Sequence, residues 1–126
     1  MTTKTEIHNK AVEVAACNLI EHGISTVSGT ERGIDLVTTT GKTILVRGVS
    51  NEVSIPLMNG SLDTLKAEYL VIITNMNRYT KKVYIMTMEE AKRISTNSPY
   101  KNNGRANYFI SAGSYSYYKE DYNIPN

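Results

Sequence analysis

The chain has no tryptophan, one phenylalanine, three prolines and one cysteine, Cys17. A lone cysteine excludes an internal disulfide and a cysteine cage for zinc. The two histidines, His8 and His22, lie far apart in the sequence and make a poor metal set. No apolar run exceeds five residues, too short to span a membrane. Met1 to Glu6 carry no apolar signal region. These absences lead us to expect a cytoplasmic protein in a reducing compartment, with no membrane partner.

What is present fits one globular domain. Apolar residues are 40% of the 126 and charged residues 21%, which separates the chain from disordered sequences. A chain of this length buries a core without staples. The net charge of +2 is unevenly spread. Residues 1–63 hold five Lys/Arg and seven Asp/Glu, whereas residues 64–126 hold nine and five. The basic half includes Arg78, Lys81 and Lys82 in one short stretch, a candidate nucleic-acid contact. The alternative is a solvated loop.

Hydrophobic period gives the elements. A helix is expected from about Thr5 to His22, with Val12, Ala15, Ala16, Leu19 and Ile20 as its apolar stripe and Gly23 as its stop. Glu13 borders that stripe beside Ala16, Cys17 and Ile20. Strands are expected at Ile24 to Ser28, Ile34 to Thr38, Thr43 to Val49, Tyr69 to Thr74, Val83 to Met86 and Tyr108 to Ser111. Tyr69 to Thr74 is apolar on both faces, as an interior strand is. Thr87-Met88-Glu89-Glu90 reads as a capping box opening a short helix. Ser95 to Ala106, with Pro99, Asn102, Asn103 and Gly104, reads as a polar loop. Tyr115 to Tyr122 reads as a final short helix. The fold class is α/β: a mixed sheet flanked by helices.

The strands around Thr40-Gly41-Lys42 read as a hairpin covered on both faces. A charge there is costly unless paired. A three-residue loop from Thr40 to Lys42 would set Asp35 directly across from Arg47, and a two-residue loop would put them on opposite faces. The three-residue loop is expected because it pairs two otherwise stranded charges.

Gly33-Ile34-Asp35-Leu36-Val37, then Gly41-Lys42, then Ile44-Leu45-Val46-Arg47-Gly48-Val49-Ser50 resembles the core of the PD-(D/E)XK nucleases. These include restriction endonucleases and Holliday-junction resolvases. The resemblance implies a single restriction-endonuclease-like domain over residues 1–126. It implies Asp35 as a catalytic metal ligand, Glu13 as a second carboxylate from the preceding helix, and Mg²⁺ as the cofactor if the site is active. The departures bear on that chemistry. Where the family has Glu or Gln, this chain has Leu45, which offers no ligand to a hard cation. Where the family has Lys, it has Arg47, which stays protonated and can hold a phosphate but not act as a base. Glu31 and Glu52 are other carboxylates that could move in.

Three readings stand. The first is a non-catalytic nuclease-fold protein with a degenerate active site, needing no cofactor and binding nucleic acid or a protein partner. The second is a divergent Mg²⁺-dependent endonuclease acting on DNA or RNA, with Asp35 and Glu13 on the metal and Arg47 on the phosphate. The third is an immunity or anti-defence interaction protein. The oligomeric state is open, a homodimer included. Each residue also has a structural reading: Asp35 and Arg47 as an ion pair, Glu13 as a helix-flank carboxylate, and the C-terminal tyrosines as core. If the basic stretch contacts DNA or RNA, changing Arg78, Lys81 and Lys82 together to Ala weakens binding and flattens its salt dependence. Salt titrations of both proteins measure this, and unchanged binding clears the stretch of a role.

Overall fold

The computed structural model describes residues 4–102 and 105–124. Helix α1 spans Lys4–Glu21. Strands β1 (Thr26–Ser28), β2 (Leu36–Thr38) and β3 (Thr43–Gly48) follow as an antiparallel meander. Next come β4 (Ile55–Asn59), a short 3-10 helix (Leu62–Thr64), β5 (Tyr69–Thr74) and β6 (Lys82–Thr87). Helix α2 (Met88–Ile94), strands β7 (Thr96–Asn102) and β8 (Arg105–Ile110), helix α3 (Ala112–Tyr115) and a 3-10 turn (Ser116–Tyr118) complete the described residues. None of the described helices is long and apolar enough to cross a membrane.

Five strands form a mixed sheet in the order β1-β2-β3-β5-β6. Only β3 and β5 run parallel within it, so β5 lies in the interior between β3 and β6. Side chains alternate across the sheet. Ile44, Val46, Val71, Ile73, Val83 and Ile85 meet α1 through Ala11, Ala15 and Leu19. Leu45, Leu70, Ile72, Tyr84 and Met86 face the other way, toward Ile55, Leu57 and Ile110 of a second sheet and Met88 and Ala91 of α2. The second sheet has the order β4-β8-β7. One sheet covered on both faces makes this a mixed α/β domain, with Tyr69 to Thr74 inside it as expected.

Several expected elements differ. The buried stripe of α1 is Ala11, Ala15 and Leu19, while Ile20 is 60% exposed. β4 went unread because Pro56 interrupts it. The proline is tolerated on the edge of the small sheet, where the register shifts between Pro56 and Met58. The expected polar loop from Ser95 is strand β7, also an edge, paired to β8. Its polar sequence hides the strand because pairing supplies most of what holds it. Asn103 and Gly104 lie outside the described residues. The final helix is earlier and shorter than expected, because Ser111 caps it by accepting from Ser114 N–H. The capping box at α2 is half realised. Thr87 Oγ1 accepts from Glu90 N–H at 3.1 Å. The Glu90 carboxylate turns instead to Arg93 and the Tyr118 hydroxyl, which together hold its pKa down at about 2.

Gly48 sets how closely α1 approaches the sheet. A Cβ there would stand 2.5 Å from the Ala11 Cβ and 3.6 Å from the Ile7 carbonyl oxygen. Only a residue without a side chain lets the helix seat on β3 at that distance. We expect Gly48→Ala to destabilise the fold by about 1–3 kcal/mol through overpacking. Urea denaturation measures this, and an unchanged midpoint would mean that α1 gives way freely.

Candidate functional site

The site grows from the point where β2 leaves β3. The hairpin closes with Thr38 N–H on the Lys42 carbonyl at 2.9 Å, so its loop is Thr39-Thr40-Gly41. A three-residue hairpin loop ends on a left-handed residue. Gly41, at φ +89, takes that place and so must be the third loop residue rather than the second. This moves the loop back by one residue and the pairing by two, which keeps the same faces together. Leu36 pairs with Ile44, and Asp35 lies toward Leu45 rather than directly across from Arg47.

Beyond Leu36 the β2 side of β3 has no regular partner, yet Val46 carries a buried amide there. The side chain of Asp35 supplies the acceptor: Val46 N–H donates to Oδ2 at 2.8 Å. The other oxygen, Oδ1, accepts from His8 Nε2 of α1 at 3.0 Å. A carboxylate has no proton to give, so Nε2 carries the hydrogen. Asp35 thus links helix and sheet.

Arg47 lies on the same side of β3 and lines the same cleft, but it is not the direct ion-pair partner that the sequence led us to expect. Its Nη2 donates to the Leu57 carbonyl at 3.1 Å, bridging the two sheets. Burial lowers the pKa of its guanidinium, and the nearby negative charge of Asp35 opposes that shift. The group stays charged at neutral pH. The cleft holds about 610 Å³ and is lined by His8, Arg32, Asp35 and Arg47, with Leu45 and Met58 as apolar wall.

Glu13 is not brought to this cleft. It is largely exposed, lies 3.8 Å from Lys10, and lines a different groove with Cys17 and Lys81. The reason is rotational. Glu13 is two residues from both Ala11 and Ala15, or about 200° round the helix from the buried stripe. His8, one turn before Ala11, takes the position that Glu13 was expected to hold. Sequence reasoning passed over His8 because its partner lies 27 residues away. The signal available was its spacing of three from the first residue of the true stripe. Of the other carboxylates, Glu31 is exposed, and Glu52 is held by Lys82 at 2.8 Å and by the Tyr84 hydroxyl at 2.9 Å.

The basic stretch is partly divided, with Lys81 turned away from the other two. Lys82 is tied to Glu52. Lys81 donates to the Arg78 carbonyl and faces the groove beside α1. Arg78 lines a polar cleft of about 620 Å³ together with Lys82, its partner Glu52, Asn51, Asn75 and Thr80, so two of the three basic residues share one cleft. That cleft opens beyond the carboxyl ends of the parallel strands β3 and β5.

Among the described residues no three His, Cys, Asp or Glu side chains gather as a metal-ligand set. Comparison with protein-family models and with curated proteins gives no match for this chain.

Asp35→Ala leaves the Val46 amide without its acceptor, and we expect a loss of about 1–3 kcal/mol of stability. Asp35→Asn keeps an oxygen for that amide and recovers much of the loss. Equal losses from the two substitutions in urea denaturation would show that the Val46 bond contributes little.

Proposed function

We propose that this chain is a non-catalytic protein of restriction-endonuclease-like, PD-(D/E)XK build that binds nucleic acid through the Asp35 cleft. The charge balance of that cleft carries the reading. Among the described residues Arg32 and Arg47 line it with a single carboxylate, and that carboxylate already accepts from His8 and from the Val46 amide. A half-buried guanidinium in such a setting gains from an incoming anion. Phosphate oxygens match its paired N–H donors. The order of elements supports the scaffold: α1, then three antiparallel strands, with Asp35 just before β2 and Leu45 and Arg47 beside it on β3.

The metal implied by the resemblance does not fit the donors present. Mg²⁺ takes an octahedral set of hard oxygens. Asp35 offers the cleft's one carboxylate, Leu45 offers nothing, and Glu13 lies round the helix. Arg47 occupies the same cleft with the charge of a competing cation. We assign no metal-dependent step to this site.

Purified protein should bind labelled DNA or RNA at low salt, and Arg32→Glu should weaken binding about tenfold and reduce the salt slope by about one. It should give no Mg²⁺- or Mn²⁺-dependent cleavage. Leu45→Glu with Arg47→Lys should introduce metal binding, read by calorimetry. Cleavage that needs Mg²⁺ and is abolished by Asp35→Ala would overturn the non-catalytic reading. Absence of nucleic-acid binding at low salt would overturn the ligand and point to a protein partner.

A further inference from the structure

A second chamber adjoins the Asp35 cleft and shares His8 and Arg47 with it. It holds about 540 Å³, within the size range of small-ligand pockets. Its character is different. Ile7 of α1, Val49 after β3, Val53 of the following loop and Pro56 of β4 give it mostly apolar walls. Ser50 and Asn51 add a small polar margin. An apolar chamber opening onto a cationic cleft suits a ligand with a flat apolar part next to an anion.

Given a nucleic-acid ligand, as proposed above, we infer that the pair of chambers takes one unstacked nucleotide of a single strand. The base enters the apolar chamber, its faces against Val53, Pro56 and Ile7 and its polar edge toward Asn51 and Ser50. The phosphate lies on Arg47 and Arg32. His8, fixed by Asp35 at the boundary, borders both parts. A paired and stacked base cannot enter without leaving its helix, a cost that a single strand does not bear.

The chamber is built before any ligand arrives. Tyr115 is 1% exposed and donates its hydroxyl to the Val53 carbonyl at 2.8 Å, which pins the loop from below. Burial pushes the pKa of that phenol up to about 12, so the donor persists through the physiological range. Val49 N–H donates to the Ile73 carbonyl and Met76 N–H to the Val49 carbonyl, each at 3.0 Å, which fixes the opposite wall. Gly48 admits α1 close enough to bring Ile7 and His8 over the opening. Walls ordered in advance spare the ligand the cost of ordering them. Val53 itself is 50% exposed, an apolar side chain held open to solvent by a bonded backbone.

The test uses fluorescence anisotropy of the full chain with three matched oligonucleotides at low salt: a single strand, the same strand carrying abasic sites, and its duplex. The intact single strand should bind at least about tenfold tighter than either of the others, the scale expected for burying the apolar faces of one base against aliphatic walls. Val53→Ser with Pro56→Ser should erase most of that preference and leave duplex binding unchanged, because neither side chain holds the fold. A duplex or abasic strand that binds as tightly as the intact single strand would overturn the base chamber. If Arg32→Glu weakens binding while the Val53/Pro56 pair does not, the chamber falls and the cationic cleft survives. If none of the three oligonucleotides binds, the nucleic-acid reading falls and the chamber with it.

Discussion

The carboxylate of Asp35 is the joint between the two layers that make the cleft. One of its oxygens closes an amide that the sheet leaves open at Val46, and the other holds His8 on the helix. The first bond answers a geometric need. Regular pairing of β2 with β3 begins only at Leu36, and a buried N–H of β3 on the side away from the hairpin loop must find an acceptor or cost about 1–3 kcal/mol. The second bond follows from Gly48, whose missing side chain lets α1 sit where His8 reaches the sheet. Arg47 then lies in a pocket whose one negative group among the described residues is already engaged from two sides. The positive character of the cleft is thus a product of how the sheet satisfies its own backbone.

Much of the scaffold was legible because it rests on period and burial. The two-sided apolar run from Tyr69 to Thr74 is the interior strand, and Thr87 caps α2 as its spacing indicates. The placement of Asp35, Leu45 and Arg47 around one cleft also followed from alternation along adjacent strands. What escaped depends on finer geometry. The register turned on which loop position must be left-handed, and Gly41 decided it. The face of α1 turned on small residues: Ala11 and Ala15 are the buried ones because the helix lies so close, whereas the larger Ile20 stays outside. A stripe weighted by size puts Glu13 near the sheet; the close packing puts His8 there. β4 and β7 are edges whose polar residues and prolines conceal strands that pairing alone maintains.

Charge by sequence half was a poor map of charge in space. The cations of the cleft, Arg32 and Arg47, come from the acidic half of the chain. In the basic half, Lys82 is paired with Glu52 and Arg93 with Glu90. Exposed pairs of this kind add little stability, but they cancel local field. Which charges the fold leaves unneutralised in concave surface is set by these pairings, and net charge along the chain does not report it.

The passage from β3 to β5 has a consequence of its own. Parallel neighbours require the chain to leave the sheet and return, and here the excursion lays β4 into the second sheet instead of forming a covering helix. The chain passes between the two sheets three times, into β4, back to β5 and again through α2 into β7, and Arg47 on the Leu57 carbonyl stitches the first crossing. Peeling the small sheet away would drag on the strand that anchors the large one. The molecule should yield as one cooperative unit, with amide protons in both sheets exchanging through the same rare opening rather than through separate local ones.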